Sequence, residues 1–65
     1  MKYYIKERDH PQLGTYFVAC GKMSKKDAKR EENQLYGYNT MHAYDTEEAY
    51  NARLVELKAS GERCQ

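Results

Sequence analysis

Two histidines and two cysteines are the residues of this 65-residue chain best suited to metal binding or nucleophilic catalysis. His10, His42, Cys20 and Cys64 include no pair at ligand spacing such as Cys-x-x-Cys, so a zinc site is not expected. A nucleophile pair of Cys20 and His42 would need a pocket, and so short a chain has little interior to form one. We therefore predict no enzyme, metal or cofactor, and we expect two reduced thiols, Cys20 half-buried and Cys64 exposed.

A cluster of cations surrounds the expected start of the first helix, opposed only by Asp27. The cluster consists of Lys22, Lys25, Lys26, Lys29 and Arg30. Free N–H groups at a helix N-terminus and ammonium groups both attract anions, so these residues predict an anion- or phosphate-binding surface. A solvated helical face kept soluble by its charge explains the same residues, and the sequence favours that simpler interpretation. No glycine-rich phosphate loop accompanies the cluster, so a nucleotide site is not expected.

Tyrosine supplies almost all of the aromatic side chains, with seven tyrosines against one phenylalanine and no tryptophan. A phenol ring packs like a hydrophobic group but keeps one end for water or a partner. Large aliphatic residues are few, so tyrosines must supply much of the core volume. Tyrosine is also enriched at protein interfaces, so the same residues are candidates for a contact surface.

Strands 1 and 2 are predicted over residues 2–8 and 15–20, joined by a fairly long loop with turn residues Asp9, Pro11 and Gly14. A first helix follows, capped by Ser24 and stopped by Gly37. Its inward stripe can consist only of three residues: Ala28, Leu35 and Tyr36.

Residues 38–44 alternate and predict a third strand, with Met41 and Ala43 on one side and Thr40, His42 and Tyr44 on the other. Asp45 or Thr46 should cap a second helix, which Gly61 ends. The inward residues of this helix recur at helical spacing and are Tyr50, Leu54 and Leu57. Residues 62–65 are expected to be a frayed tail.

The predicted fold is one α+β domain over residues 1–65, with order β-β-α-β-α. A crossover through the first helix gives a three-stranded antiparallel sheet of order 2-1-3, and we expect two helices on one face of it. The residues expected to be buried together are Ile5, Val18, Leu35, Met41, Leu54 and Leu57. The sequence does not decide whether strand 2 buries Phe17 or the pair Tyr16 and Val18.

The other face of the sheet would then be uncovered, and it carries the candidate partner-binding residues. These are Tyr4, Lys6, Arg8, Tyr38, His42 and Tyr44. Aromatic and cationic side chains in one surface suit a protein interface, and they also suit base stacking on single-stranded nucleic acid. An ordinary half-wet sheet face is the plainer alternative.

The net charge of +1, from 11 basic and 10 acidic residues, argues against a general polyanion binder and against an acidic DNA mimic. No apolar run reaches the length of a membrane span, and the N-terminus lacks the apolar segment of a signal peptide. We therefore expect a cytoplasmic protein without a membrane partner.

In size, strand–helix order and surface character, the whole chain resembles small phage-encoded host-takeover proteins, including anti-CRISPR proteins. The resemblance implies a non-enzymatic inhibitor or modulator that occupies a surface of a larger host protein or ribonucleoprotein. Our leading hypothesis is such a binding protein. A small nucleic-acid-binding module that uses the same sheet face is the alternative, and a homodimer with its uncovered faces packed together is a third.

Overall fold

The computed structural model of the protein describes residues 1–33 and 38–64, without the side chain of Tyr38. Five elements follow one another along the chain: β1 (Lys2–His10), β2 (Gly14–Met23), α1 (Lys25–Glu32), β3 (Tyr38–Tyr44) and α2 (Glu47–Ala59). The α+β class and the β-β-α-β-α order are confirmed.

The sheet has the order β2-β1-β3, and β1 is antiparallel to both neighbours, as predicted. Ile5 at its centre lies opposite Ala19 of β2 and His42 of β3. β2 has one extra residue, Cys20, between Ala19 and Gly21, which lie opposite Ile5 and Tyr4. This bulge is followed by Gly21 at φ 75°, a left-handed conformation that glycine adopts without steric cost.

The β1–β2 turn is shorter than the sequence suggested, because β1 continues to His10 and β2 already begins at Gly14. The ring of His10 takes part in the turn: its Nδ1 accepts hydrogen bonds from the backbone amides of Gln12 and Leu13, each at 3.1 Å. An acceptor for two otherwise unpaired amides allows the chain to reverse within three residues, 11–13. His10 therefore has a structural partner in the turn.

The two helices lie on opposite faces of the sheet, so the expectation of two helices on one face is wrong. Tyr4 lines a cavity with Lys25 and Ala28 of α1, whereas its neighbour Ile5 packs with Tyr50 and Leu57 of α2. Adjacent strand residues point to opposite faces, and both Tyr4 and Ile5 are buried.

We call the side of the sheet with Tyr3, Ile5 and Glu7 the α2 face and the side with Tyr4, Lys6 and Arg8 the α1 face. The buried cluster lies on the α2 face and consists of Ile5, Phe17, Tyr50 and Leu57, with Tyr3, Tyr44, Leu54 and Cys64 packed against it. Phe17 is therefore the residue of β2 that joins this core. Tyr16 is buried as well, on the opposite face.

Half of the predicted core set belongs to this cluster. Ile5 and Leu57 are in it and Leu54 packs on it. Val18 and Met41 are opposite Lys6 in the register, which places them on the α1 face, where both are half-buried. The expectation that they share one core with Ile5 is wrong, and Leu35 lies outside the described residues.

Short-range signals set the ends of α2. The Thr46 hydroxyl accepts a hydrogen bond from the Ala49 amide at 3.1 Å, so Thr46 is the N-cap. At the other end the Gly61 amide donates to Lys58 O at 3.1 Å and the Glu62 amide donates to Leu57 O at 2.9 Å. These two bonds form a Schellman motif around Gly61, whose φ is 78°.

The chain after this motif is tied to the sheet, so the expected frayed tail at 62–65 is wrong for residues 62–64. The Phe17 amide donates to Arg63 O at 2.8 Å, and Cys64 forms a parallel β-bridge with Phe17. Cys64 is half-buried against the core and not exposed. The tail thus pairs with the outer edge of β2.

Helix α1 is short. Its N-cap is Ser24, whose hydroxyl accepts from the Asp27 amide at 3.2 Å, as the sequence predicted. It ends at Glu32, before the predicted stop at Gly37, and the predicted inward residues Leu35 and Tyr36 lie outside the described residues. Within the described chain, neither helix is long and apolar enough to cross a membrane.

Candidate functional site

The six residues predicted to form one partner-binding surface do not share a face. Tyr4, Lys6 and Arg8 lie on the α1 face, whereas His42 and Tyr44 pair with Ile5 and Tyr3 and therefore lie on the α2 face. The prediction was wrong because it assigned Met41 to the core side of β3 together with Ile5. The side chain of Tyr38 lies outside the described part of the chain.

Two of the three β1 members of the predicted surface, Tyr4 and Lys6, contact α1. Tyr4 is only 6% exposed beneath the helix. Lys6 Nζ lies 3.4 Å from Glu31 Oε2 of α1, and its side chain is 12% exposed. Arg8 is half-buried on the same face. None of these three described side chains offers the open, freely accessible surface that an aromatic contact face requires.

The tyrosines of the α2 face are used mainly for packing. Tyr3 and Tyr50 have ring centroids 5.5 Å apart, and the Tyr3 hydroxyl donates to Glu47 Oε2 at 3.2 Å. Partial desolvation, with the adjacent Glu47 carboxylate, raises the pKa of Tyr3. Tyr44 packs against the same cluster, so we expect Tyr44→Ala to lower stability. From the sequence, Tyr44 had been a candidate partner-binding residue.

Tyr50 shows why this core uses tyrosine where phenylalanine would fill the same space. Its ring is buried in the cluster, while its hydroxyl accepts a hydrogen bond from the Gly21 amide at 3.1 Å. Gly21 follows the bulge, where the ladder is interrupted and an amide needs another acceptor. The phenol thus contributes apolar area and satisfies one backbone donor.

Two adjoining cavities lie on the α1 face and share Tyr4 and Lys25, with volumes of about 270 and 330 Å³. We call them together the α1 groove. Its lining residues are Met1, Lys2, Tyr4, Lys25, Ala28, Lys29, Glu32, Met41 and Ala43.

The α1 groove combines an apolar floor with a basic wall. Tyr4, Ala28 and Met41 form the floor, and Lys25 and Lys29 stand one turn apart on the exposed side of α1. A third lysine, Lys2, reaches the groove from β1 and lies 3.1 Å from Asp45, with both side chains largely exposed. Glu32 is the acidic residue of the lining.

The predicted basic cluster is divided by this geometry. Lys25 and Lys29 line the groove, whereas Lys22 and Lys26 are exposed without lining it. Arg30 lies 3.9 Å from Asp27 on the solvent side of the helix. Two of the five predicted anion-binding residues are therefore brought together over an apolar floor.

Sequence reasoning missed the groove because its floor and its wall come from separate elements. Among the described side chains of α1, only Ala28 is buried. A methyl group cannot fill the space above Tyr4 and Met41, so the helix leaves a depression beside itself. The spacing Lys25–Ala28–Lys29, a small inward residue flanked by two cations, is the signal that could have indicated it.

The remaining histidine and cysteine candidates are separated by the sheet, with His42 on the α2 face and Cys20 on the α1 face. His42 Nε2 lies 2.9 Å from Glu7 Oε1 on the α2 face. Cys20 is half-buried on the α1 face, where burial mainly raises the pKa of its thiol despite the opposing effect of Lys6. Among the described residues, no group of three or more His, Cys, Asp or Glu side chains is placed to hold a metal ion.

Comparisons of the chain with protein-family models, with curated proteins and with solved structures found no match.

Proposed function

We propose that this protein is a non-enzymatic binding protein whose α1 groove holds an acidic segment of a larger partner protein. The observation that carries the proposal is the pair Lys25 and Lys29 above the apolar floor formed by Tyr4 and Met41. The resemblance to phage-encoded host-takeover proteins makes a host protein or ribonucleoprotein the first class of partner to test.

The accessible apolar residues of the lining, Met1, Met41 and Ala43, would supply affinity, and the lysines would supply selectivity. Apolar area removed from water contributes about 25 cal/mol per Å². The ammonium groups of Lys25 and Lys29 are exposed, so they can meet carboxylates at the rim without a large desolvation cost. An acidic segment with interspersed apolar residues satisfies both parts of the site.

The alternatives have less support from the same geometry. A stacking platform for nucleic acid needs accessible rings, yet Tyr4 is covered by α1, and Tyr3 packs against Tyr50 of α2. A dimer of uncovered sheet faces lacks its surface, because each face carries a helix. The lysines remain compatible with phosphate contacts, so nucleic acid is kept as an outcome of the test.

The test compares two double variants with the same change of charge. Lys25→Gln/Lys29→Gln alters the groove wall, whereas Lys22→Gln/Lys26→Gln alters exposed lysines of the same cluster that do not line the groove. A random-peptide display library is selected on the wild-type protein with nuclease present. Enriched peptides are then measured by isothermal titration calorimetry against all three proteins.

We expect the enriched peptides to be acidic, to bind wild type and Lys22→Gln/Lys26→Gln alike, and to bind Lys25→Gln/Lys29→Gln about tenfold more weakly. Neutral or basic peptides, or equal losses in the two variants, would contradict the proposal. A parallel titration with single-stranded oligonucleotide tests the alternative. Binding that falls steeply with salt in that titration would favour the nucleic-acid module.

A further inference from the structure

The outer edge of β3 borders the α1 groove, since Met41 and Ala43 belong both to that strand and to the groove lining. In an edge strand every second residue directs its backbone N–H and C=O groups away from the sheet. The amide of Met41 is one of these, because it donates to Glu32 Oε2 of α1 at 3.1 Å. A side-chain carboxylate thus occupies a position where a neighbouring strand would place a carbonyl.

Ala43 lies two residues from Met41, so its amide also points outward. Within the described part of the chain, no hydrogen bond is found from the Ala43 amide to a residue outside the sheet. Ala43 is exposed. The edge therefore presents one amide that is occupied by a displaceable acceptor and a second amide that has no hydrogen-bond partner outside the sheet among the described residues.

At the opposite edge of the sheet, an outward amide is hydrogen-bonded to a backbone carbonyl. There the outward amide of Phe17 donates to the carbonyl of Arg63 at 2.8 Å, and Cys64 continues the contact as a β-bridge. The chain has thus added a short extended segment to the β2 edge. At the β3 edge, Glu32 stands in for such a segment.

We propose that the partner's acidic segment binds as an added β-strand on the outer edge of β3, and that its backbone carbonyl displaces the Glu32 carboxylate from the Met41 amide. This inference rests on the proposed function. Side chains alternate across a strand, so every second side chain of the added segment faces the α1 side, beside Met41 and the groove lysines. Main-chain bonds supply affinity, and Lys25 and Lys29 select acidic side chains.

The probe for this mode is a short acetylated peptide of alternating glutamate and valine. In an extended peptide, residues two apart direct their amides to the same edge, so either the valine amides or the glutamate amides face β3. Two derivatives carry N-methyl groups on all valines or on all glutamates. Binding is followed by ¹⁵N NMR titration, and protection of the Met41 and Ala43 amides is followed by hydrogen exchange.

Strand addition predicts that one methylated derivative binds like the parent peptide and that the other binds at least about tenfold more weakly. It also predicts slower exchange of the Ala43 amide in the complex. Equal behaviour of the two derivatives, whether both bind or neither does, would overturn strand addition. If the peptide shifts Lys25, Ala28 and Lys29 signals while methylation has no effect, the groove remains the site and only the strand mode fails. Absence of saturable shifts contradicts both proposals.

A matched pair of substitutions tests the displacement of Glu32. Glu32→Ala removes both the charge and the acceptor, whereas Glu32→Gln removes the charge but keeps an oxygen that can accept from Met41. We expect the peptide to bind Glu32→Ala at least about threefold more tightly than Glu32→Gln, because only the alanine variant vacates the amide. Equal affinities would show that charge alone matters and would contradict displacement.

Discussion

The two faces of the sheet differ in what covers them. On the α2 face, Tyr50 and Leu57 of the helix pack with Ile5 and Phe17 in a closed cluster, and the tail adds Cys64 to it. On the α1 face the helix buries Ala28 alone among its described side chains and leaves a groove. One side of the same strands is closely packed, and the other side is left incompletely filled.

The difference originates in the composition of the helices. Helix α1, Lys25–Glu32, has charged residues at every position except Ala28, so it is held by polar contacts such as Lys6–Glu31. Helix α2 presents larger inward side chains at helical spacing. A helix with little apolar surface cannot fill the space on its side of the sheet, and this is what leaves a groove beside it.

The largest expected effect is a loss of stability that differs between substitutions on the two faces. Leu57→Ala should lower the free energy of unfolding by about 2–5 kcal/mol, because it opens a cavity in the closed cluster. Met41→Ala, on the α1 face, should cost less, about 1 kcal/mol, since its half-buried side chain already borders a groove. Urea denaturation followed by circular dichroism measures both. Equal losses would mean that the α1 face is as tightly packed as the α2 face.

The next effect tests the polar part of the α2 face. Tyr50→Phe keeps the ring but leaves the Gly21 amide without its acceptor, and should cost about 1–3 kcal/mol. Tyr3→Phe removes an exposed hydroxyl that donates to Glu47 and serves as the control, with a much smaller loss expected. Thermal melting of the two variants distinguishes them. A Tyr50→Phe melting curve that matches wild type would show that water satisfies Gly21 equally well.

A third effect concerns the tail that completes the α2 face. Deletion of residues 62–65 removes the acceptor of the Phe17 amide, and it removes Cys64, which packs against the core. The deletion should lower the free energy of unfolding by about 1–2 kcal/mol. Arg63→Ala keeps the backbone carbonyl and should remain close to wild type. Hydrogen exchange of the Phe17 amide provides the local readout, with rapid exchange expected only after the deletion.

The smallest effect is a pH dependence on the α1 face. Burial raises the pKa of Cys20 from its ordinary value of 9.0, so folding favours the neutral thiol. A raised folded-state pKa contributes stability that is complete below pH 9.0 and is lost as the pH rises through the folded-state value. Wild type should therefore lose stability relative to Cys20→Ala as the pH rises above 9.0. Cys64→Ala, which keeps Cys20, should follow wild type, and parallel curves for all three proteins would contradict the assignment.

Local signals in the sequence were sufficient for the elements and their order. Ser24, Thr46 and Gly61 act through bonds to residues within a turn of themselves, so their roles can be inferred without the fold. The alternation in β3 was also correct, with Met41 and His42 on opposite sides. The covered face could not be inferred in the same way, because β1 contains three consecutive large residues, Tyr3 to Ile5, and gives no apolar–polar alternation there.

The candidate site was predictable only in part, for a related reason. Lys25 and Lys29 were identified from charge, but their meaning depends on Tyr4 and Met41 lying beneath them, which requires knowing where α1 packs. The tail had no local signal beyond Gly61, since its pairing with Phe17 joins residues far apart in the chain. Sequence reasoning therefore failed where the geometry depended on the relative placement of distant elements.

The middle strand of the sheet is the first strand of the chain, and this arrangement bears on the order of folding. β1 can pair with β2 across a tight turn. The other edge of β1 can pair only after β3 has been brought to it, and β3 follows α1 in sequence. Closing that long loop is the entropic cost that slows folding of domains with non-local pairings. We expect a hairpin to form early, with the β1–β3 ladder completing in the rate-limiting step. Adjacent residues of a central strand bond to different neighbours, so the Lys6 amide bonds to β2 and the Glu7 amide bonds to β3. Pulse-labelling of amides during refolding should therefore show protection at Lys6 before protection at Glu7.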